Sequence, residues 1–446
     1  MLRIILLLAG MAVSISVSAQ IVTDWKIIHA GSLLADAREP VRTEQSIIVR
    51  NNEIIRVLDG YVAPGEVSGT ANARVIDLRN QFVLPGLIDS HTHILSQQEP
   101  NRREISVTRT SEFSTLMGLE YGMRTLRAGF TTIRNVGAER NAIFALRDAI
   151  NQGIVMGPRI LAAGQGITPT GGHGDRNGFR DDIFPEPHSG VCDGVAECRR
   201  AVRTQIKFGA DLIKYVATGG VLSMTATGTG QQFTDEEQIA LVQAAHAMGR
   251  KVAAHAHGKI GMEAALRAGV DSIEHGSYLD AETADLFVET GAYLVPTLIA
   301  GHTVERIATE RPDFYIPAVR QKALEVGPIM RNALRIAHEK GVKIAFGTDA
   351  GVNDHGTNAY EAVLMNEAGM PEQAILIAAT VNAAELLGLY DYVGTIEDGK
   401  DADIIAVQGN PLEDISTLLE PAFVMARGNE INLNVPPVDL FPWPSI

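Results

Sequence analysis

The chain has 446 residues, too many for one small domain but enough for a large barrel and a smaller module. Hydrophobic residues make up 46% and charged residues 20% of the chain, a composition typical of a soluble globular protein. The formal net charge of −15 argues against nucleic acid and against an anionic membrane surface as partners.

Residues 1–19 have the pattern of an export signal. Arg3 gives a positive start, an apolar stretch runs to Val17, and small residues precede Gln20. The apolar stretch is short for a helix that spans a bilayer, although an uncleaved anchor is the alternative interpretation. We expect cleavage near Ala19 and a protein that is exported, either periplasmic or secreted, with no other membrane contact.

The two ends of the mature chain have the pattern of short strands. Residues 20–81 contain strand-like runs separated by Gly, Pro and Asn turns, as in QSIIVRNNEIIRVL. Residues 391–446 return to short strands, as in DADIIAVQGN, and end in a proline-rich tail. We predict that these two segments together form a small β-sandwich domain.

Residues 82–390 alternate short apolar runs with helix-like stretches such as EEQIALVQAAHAMGR. The runs are FVLPGLIDSHTH, TTIRNVG, RILAAG, DLIKYVATGG, KVAAHAH, SIEHGS, YLVPTL and KIAFGTDA. Eight strand–helix units in succession predict an α/β fold, with a (β/α)8 TIM barrel as its main domain.

Two cysteines, Cys192 and Cys198, lie between the third and fourth runs. In an oxidising compartment they could form one local disulfide, and two free thiols are the alternative. Their spacing fits neither a CxxC redox motif nor a zinc knuckle, so we expect no chemistry from them.

Two histidines, His91 and His93, end the first barrel run in GLIDSHTHIL. Positions i and i+2 share one face of a strand, so both imidazoles could reach one metal ion; surface histidines on a turn are the alternative. Barrel enzymes build their sites at the C-terminal ends of the strands, and further polar residues occur there. These residues are Lys214, His255, His275 and Asp349.

Each of these six residues has an ordinary structural explanation when taken singly, but together at one rim they predict a metal site. Four histidines and a carboxylate suit zinc or another borderline divalent ion rather than magnesium or calcium. An ammonium is a poor ligand. If carbon dioxide carboxylates the amine of Lys214, however, the resulting two-oxygen anion can bridge two metals that share an activated hydroxide.

The chain resembles the amidohydrolase superfamily in the motifs HTH, DLIKYVATGGVLS, HAHG, IEHG and GTDAG, and in the closing DADIIAVQGNPLEDI. It is most similar to the branch of binuclear-zinc Xaa-Pro dipeptidases and carboxypeptidase-like enzymes, which is related to imidazolonepropionase and includes ochratoxin-degrading amidohydrolases. The resemblance covers nearly the whole mature chain.

This resemblance implies two divalent metal ions, with zinc as the first candidate. The first ion would be held by His91, His93 and Asp349, and the second by His255 and His275. Lys214, carboxylated at N6, would bridge both ions together with a hydroxide that attacks the substrate. Asp349 would be the catalytic group that takes the proton from this hydroxide and passes it to the leaving amine.

The same resemblance implies hydrolysis of the amide bond before a C-terminal amino acid, in Xaa-Pro or other dipeptides, N-acyl amino acids or ochratoxin-like amides. A cyclic-amide hydrolase of the imidazolonepropionase or hydantoinase type is the alternative; Lys214 argues against the first type, which typically lacks that lysine. A non-catalytic periplasmic protein that binds metal or ligand is a third hypothesis. Relatives are often multimeric, so a homo-oligomer is also consistent with the resemblance.

Four residues are candidates for substrate binding. His257 shares a strand face with a predicted ligand and could bind the substrate carboxylate, or orient that ligand. His173 lies in TPTGGHGDRNGF, whose glycines suit a mobile loop over a site. It could polarise the scissile carbonyl or contact the substrate carboxylate, and an exposed histidine in a plain glycine loop is the alternative. Arg134 could meet an anion or pair with an acid, because the next position holds Asn where the family often has Asp. Ser96 could line the mouth of the site or serve as a turn residue.

Overall fold

The computed structural model describes residues 23–99, 102–180, 182–184, 186, 188–223 and 228–435. The predicted export signal, its cleavage point near Ala19 and most of the proline-rich tail lie outside the described residues. Within these ranges, none of the helices combines the length and the apolar character that a bilayer-spanning helix needs.

Strands and α-helices alternate through most of the described chain. The strands are β1 (Trp25–Leu33), β2 (Arg42–Arg50), β3 (Glu53–Asp59), β4 (Arg74–Pro85), β5 (Leu87–Thr92), β6 (Phe130–Asn135), β7 (Arg159–Ala162), β8 (Leu212–Val216), β9 (Lys251–Ala256), β10 (Ser272–His275), β11 (Tyr293–Val295), β12 (Lys343–Ile344), β13 (Ile404–Val407), β14 (Pro421–Ala426) and β15 (Asn429–Glu430). The helices are α1 (Arg102–Thr108), α2 (Ser111–Arg127), α3 (Arg140–Asn151), α4 (Gly194–Lys207), α5 (Asp235–His246), α6 (Lys259–Ala268), α7 (Ala281–Thr290), α8 (Leu298–Glu310), α9 (Pro317–Glu339), α10 (Tyr360–Glu367), α11 (Glu372–Ile377) and α12 (Ala383–Leu387). A π-helical segment over Ala378–Asn382 joins α11 to α12, and a 3-10 helix covers Ile415–Leu419.

Strands from both ends of the chain form one sheet in the order β15-β14-β13-β4-β1-β2-β3. The long strand β4 pairs with β1 over most of its length and with β13 at its C-terminal end. Because β4 serves both sets of strands, the two terminal segments build one continuous sheet among the described residues. The two segments are therefore joined in one sheet, and its folding into a sandwich stays a prediction.

The eight strands β5 to β12 form a TIM-barrel-like α/β domain. They are parallel and lie in two sheets, β5-β6-β7 and β12-β11-β10-β9-β8. Parallel bridges join the two sheets at both seams, between Ile167 and Tyr215 and between Thr92 and Ala350. All eight predicted apolar runs contribute a strand to this domain, as expected for parallel strands buried on both faces.

The first apolar run is divided between the two parts of the fold. Its beginning belongs to β4 of the terminal sheet, and the barrel strand β5 starts only after Gly86. A Cβ atom at Gly86 would lie 2.3 Å from the side-chain oxygen of Thr131, so the chain passes too close to β6 for any side chain. The last residues of β4 therefore directly precede Gly86, and the first strand of the barrel-like domain directly follows it.

The long helix α9 shows how the outer helices are held against the barrel. Val319, Ala323, Val326 and Met330 recur at three- and four-residue intervals and are all buried. Full burial of an aliphatic side chain of this size contributes about 1.5–3 kcal/mol. The apolar stripe thus fixes which face of α9 points inward.

Cys192 and Cys198 form a disulfide, and both side chains are buried. Cys192 ends the long loop after β7, and Cys198 lies in α4. The backbone N–H of Cys192 also donates to the carbonyl of Thr168 at 3.1 Å. Of the two alternatives that the sequence leaves open, the structure therefore has the disulfide, and it ties the end of this loop to α4.

Candidate metal centre and active site

The six residues predicted to hold metal line one cavity at the C-terminal ends of the barrel strands. The cavity has a volume of about 470 Å³. Three of the candidates for substrate binding, Ser96, His173 and His257, also line it. The six residues are His91, His93, Lys214, His255, His275 and Asp349.

One group of possible ligands centres on the carboxylate of Asp349. The Nε2 atoms of His91 and His93 both lie 3.3 Å from its Oδ1 atom. His275 joins this group, since its ligand atom and those of His91 and Asp349 lie within 4.8 Å of one another. Two imidazole nitrogens and a carboxylate that converge in this way are compatible with a divalent ion.

The outer nitrogens of His91 and His93 orient both rings. Nδ1 of His93 lies 2.7 Å from the carbonyl oxygen of Gly137, and Nδ1 of His91 lies 2.7 Å from the carboxylate of Glu274. A carbonyl or carboxylate oxygen only accepts, so each Nδ1 carries the proton and donates it. Burial also lowers the pKa of His93 to about 4. Nε2 of His93 thus presents a lone pair to the cavity at neutral pH, and in both rings Nε2 is the nitrogen left to face a metal ion.

A second group consists of His255, His257 and His275, whose ligand atoms also lie within 4.8 Å of one another. Burial, together with the neighbouring cationic groups, lowers the pKa values of His255 and His275 well below their usual range. The Nε2 atom of His255 is buried without a hydrogen-bond partner among the described residues. Such an atom costs about 1–3 kcal/mol unless something satisfies it, and a metal ion would do so.

Lys214 lies in β8 and lines the same cavity as these two groups. Burial lowers the pKa of its amine to about 8, and the charges of Glu274 and Asp349 oppose that shift. A lower pKa increases the fraction of neutral amine, which is the form that reacts with carbon dioxide. The environment of Lys214 is therefore compatible with carboxylation.

Three non-glycine residues at this rim have left-handed backbone conformations: His275 (φ 74°), Thr297 (φ 51°) and Asp349 (φ 59°). Each such residue costs roughly 1–3 kcal/mol and persists only where the surrounding structure imposes it. Here the surroundings include a 2.7 Å hydrogen bond between Nδ1 of His275 and the hydroxyl of Thr297. Strain concentrated at the ends of three strands is typical of a functional site.

Arg134 does not line the cavity, which corrects the expectation that it binds a substrate anion. It is only 3% exposed and lies inside the barrel. Its guanidinium donates to the carboxylate of Glu274 at 2.8 Å, to the hydroxyl of Ser272 at 3.0 Å and to the carbonyl of Ser90. All three of its nitrogens are thus engaged by the barrel itself, so Arg134 is a structural partner of Glu274.

Glu274 is a site residue that sequence reasoning missed. Its fully buried carboxylate accepts from Arg134 on one oxygen and from His91 on the other. Burial opposes ionisation, but the charge of Arg134 and the hydrogen bond from His91 outweigh it and hold the pKa of Glu274 well below its usual range. The available signal was an acid inside an apolar strand, in SIEHGS.

Two further buried acids accept hydrogen bonds from segments at the C-terminal ends of the barrel strands. Asp89 accepts from the hydroxyl of Thr348 at 2.6 Å and from the amide of Asn358 at 2.7 Å, which ties β5 to the segment after β12. Glu361 accepts from the first two backbone N–H groups of α8, at 2.8 and 2.6 Å, directly after the strained Thr297. Asp89 therefore fixes the strand that carries His91, and Glu361 fixes the chain beside Thr297, whose hydroxyl contacts His275.

We predict that Glu274→Gln weakens metal binding by about 10- to 100-fold, the usual cost of losing a carboxylate that orients a ligand histidine. It should also destabilise the fold by about 3–5 kcal/mol, because Arg134 stays buried without its counter-charge. Metal titration and urea unfolding would measure the two effects. The control is Glu263→Gln, which removes partly exposed ion pairs with Lys259 and Arg267. Wild-type values for both quantities in Glu274→Gln would contradict this role.

The three remaining candidates for substrate binding face the cavity. The ring of His173 stacks on His255 with centroids 4.5 Å apart. Nδ1 of His257 lies 2.7 Å from the hydroxyl of Ser277, and its ring stacks on His275. The contacts place these imidazoles beside the predicted ligands, so their assignment to substrate stays a prediction.

The chain is similar to a known protein family and to several proteins of known structure. The family model described as "Amidohydrolase family" matches residues 82–431. An ochratoxinase from Aspergillus niger is 32% identical over 417 residues, which are 89% of this chain and 84% of the relative. The crystal structure of a Xaa-Pro dipeptidase with bound methionine in the active site is 44% identical, with a TM-score of 0.86, and covers 91% of this chain and 99% of its own. A prolidase complexed with N-methylphosphonate-L-proline is 31% identical, with a TM-score of 0.81, and covers 91% and 99%.

Proposed function

The chain belongs to the amidohydrolase family and is a hydrolase of amide or peptide bonds, and we propose that it cleaves the bond before a C-terminal amino acid. Its substrates are small peptides or N-acyl amino acids. One observation carries the proposal: the Nε2 atoms of two oriented histidines converge at 3.3 Å on the catalytic carboxylate, Asp349.

Two divalent ions, with zinc as the first candidate, fit the donor atoms of this cavity. His91, His93 and Asp349 would hold one ion, His255 and His275 the other, and carboxylated Lys214 would join them. When bound, the ions lower the pKa of water and polarise the scissile carbonyl. The buried Nε2 atom of His255 supports this assignment, because it has no other partner among the described residues.

Asp349 acts as the general base and then as the general acid. Burial raises its pKa, but the contacts with His91 outweigh burial and lower it. The carboxylate is therefore ionised at neutral pH and can accept a proton from the attacking water. It then delivers this proton to the nitrogen of the leaving amino acid.

The relatives support a linear amide with a C-terminal amino acid. The Xaa-Pro dipeptidase structure holds methionine in its active site, and the prolidase holds an analogue that ends in proline. Cyclic-amide hydrolysis is the second candidate, because hydantoinase-like enzymes also use a carboxylated lysine. Lys214 argues against the imidazolonepropionase type, which typically lacks that residue.

We also propose that the enzyme is exported. The apolar stretch and small residues before Gln20 support a cleaved signal and a periplasmic or secreted enzyme. An oxidising compartment would also suit the disulfide between Cys192 and Cys198.

We predict that protein expressed with zinc and bicarbonate releases free C-terminal amino acid from linear amides. The panel would hold Xaa-Pro, Xaa-Arg and Xaa-Phe dipeptides, N-acyl amino acids, hydantoins and lactams. Amide cleavage gives two products and ring opening gives one, so chromatography of the products separates the two chemistries. Turnover of cyclic amides alone would overturn the proposal in favour of the ring-opening alternative.

A further inference from the structure

We propose that one wall of the active-site cavity is a side-chain pocket for the C-terminal residue of the substrate, and that Gly301 and Met330 set its size. The inference rests on the proposed function and adds a substrate class: amides whose leaving amino acid has an uncharged, apolar side chain. We call this wall the apolar chamber. It is lined by Val221, Leu222, Gly301, Val304, Val326 and Met330.

Helix α9 builds the outer side of the apolar chamber. Lys322, Val326 and Met330 are four residues apart, so they lie on one face of the helix. The ammonium of Lys322 donates to the carbonyl oxygens of Gly220 and Ser223, each at 2.8 Å. These two bonds fix the short turn that carries Val221 and Leu222 against the same face.

Helix α8 supplies the opposite side and leaves the space that Met330 uses. A Cβ atom at Gly301 would lie 2.7 Å from Sδ of Met330. Both residues line the cavity, and Met330 is only 3% exposed. A methyl group at position 301 would therefore displace the thioether and narrow the chamber.

The chamber adjoins His173, the second cavity imidazole that could contact the substrate carboxylate. The ring of His173 packs on Gly220, where a Cβ atom would lie 2.3 Å from its Cε1. Gly220 begins the turn that Lys322 fixes, and Val221 follows it directly. If the C-terminal carboxylate of the substrate binds at His173, the side chain of that same C-terminal residue lies beside the chamber.

The apolar character of the chamber determines which side chains of the substrate it accepts. Its six residues are all apolar or glycine. A charged side chain placed there would lose its water without gaining a partner, whereas an aliphatic or aromatic side chain would gain burial. We therefore expect kcat/KM for N-acetyl-Leu, N-acetyl-Met and N-acetyl-Phe to exceed that for N-acetyl-Gly and N-acetyl-Asp by at least about tenfold.

Opposite changes at Gly301 and Met330 test the proposal. Gly301→Ala should lower the ratio of kcat/KM for N-acetyl-Phe over N-acetyl-Ala by about tenfold or more, and Met330→Ala should raise it about fivefold. The double variant should stay near the ratio of Met330→Ala, because the added methyl group displaces nothing once the thioether is absent. Met330→Leu, which keeps the side-chain volume, is one control. Gly122→Ala is the other, since Gly122 lies in α2, away from the cavity, where an added Cβ atom would lie 3.3 Å from the nearest heavy atom.

Equal changes for both substrates, or a wild-type preference for charged residues, would overturn the chamber while leaving the proposed function intact. If no linear amide is cleaved at all, the proposed function fails. The chamber is then judged by calorimetric titration of the zinc-loaded protein with free L-methionine, L-phenylalanine and L-aspartate. Binding of the apolar amino acids that weakens in Gly301→Ala would support the chamber, and equal or absent binding of all three would contradict it.

Discussion

Replacing Lys214 by alanine is expected to remove metal from the protein and to abolish hydrolysis. Lys214 is buried in the same cavity as the two histidine groups, and its carboxylated side chain would join them. Without it, the two groups lose their shared ligand. Loss of both ions removes several kcal/mol of transition-state stabilisation, or about a thousandfold or more in rate. Metal analysis by mass spectrometry and an amide-hydrolysis assay would measure the two effects.

Chemical rescue separates this role from simple misfolding. Short carboxylic acids should partly restore both metal content and turnover in Lys214→Ala, because they can occupy the space of the missing carboxylated side chain. Lys343→Ala is a matched control, since Lys343 also lies in a strand of this domain but is exposed, at the N-terminal end of β12. Normal metal content in Lys214→Ala would rule out the bridging role.

Asp349→Asn should retain much of its metal yet lose turnover by about 100- to 10,000-fold, the usual range for removing a general acid–base group. Asn has nearly the shape of Asp and tolerates the left-handed backbone found here, where φ is 59°. The side chain can still offer an oxygen to the ion, but it cannot take a proton. Steady-state kinetics with parallel metal analysis would measure the split between the two properties.

A neighbouring aspartate provides the comparison for this variant. Asp354 lies in the same segment after β12 but is exposed, and Asp354→Asn should leave the rate near that of the wild type. If Asp349→Asn keeps a near-normal rate, the proton-transfer role belongs to another group.

The strands could be predicted from the sequence because each one depends on a short run of neighbouring residues. Strands buried on both faces read as apolar runs, so all eight barrel strands were recognisable before their pairing was known. The polar residues that end those runs meet in one cavity because parallel strands place their C-terminal ends at the same rim. This explains why His91 and His255, far apart in the chain, could be assigned to one site.

Features that depend on distant contacts were not predictable in this way. Alternation along β6 could not reveal that Arg134 meets Glu274 of β10 rather than a substrate. The single terminal sheet depends on β4 pairing with strands from both ends of the chain. The apolar chamber depends on how α8 packs against α9, which brings Gly301 to Met330.

The most direct test of the central claim is the metal content per chain of protein expressed with zinc and bicarbonate. If the cavity holds a two-metal centre joined by carboxylated Lys214, mass spectrometry should give two ions per chain. One ion per chain, or none, at full hydrolytic activity would contradict the two-metal assignment.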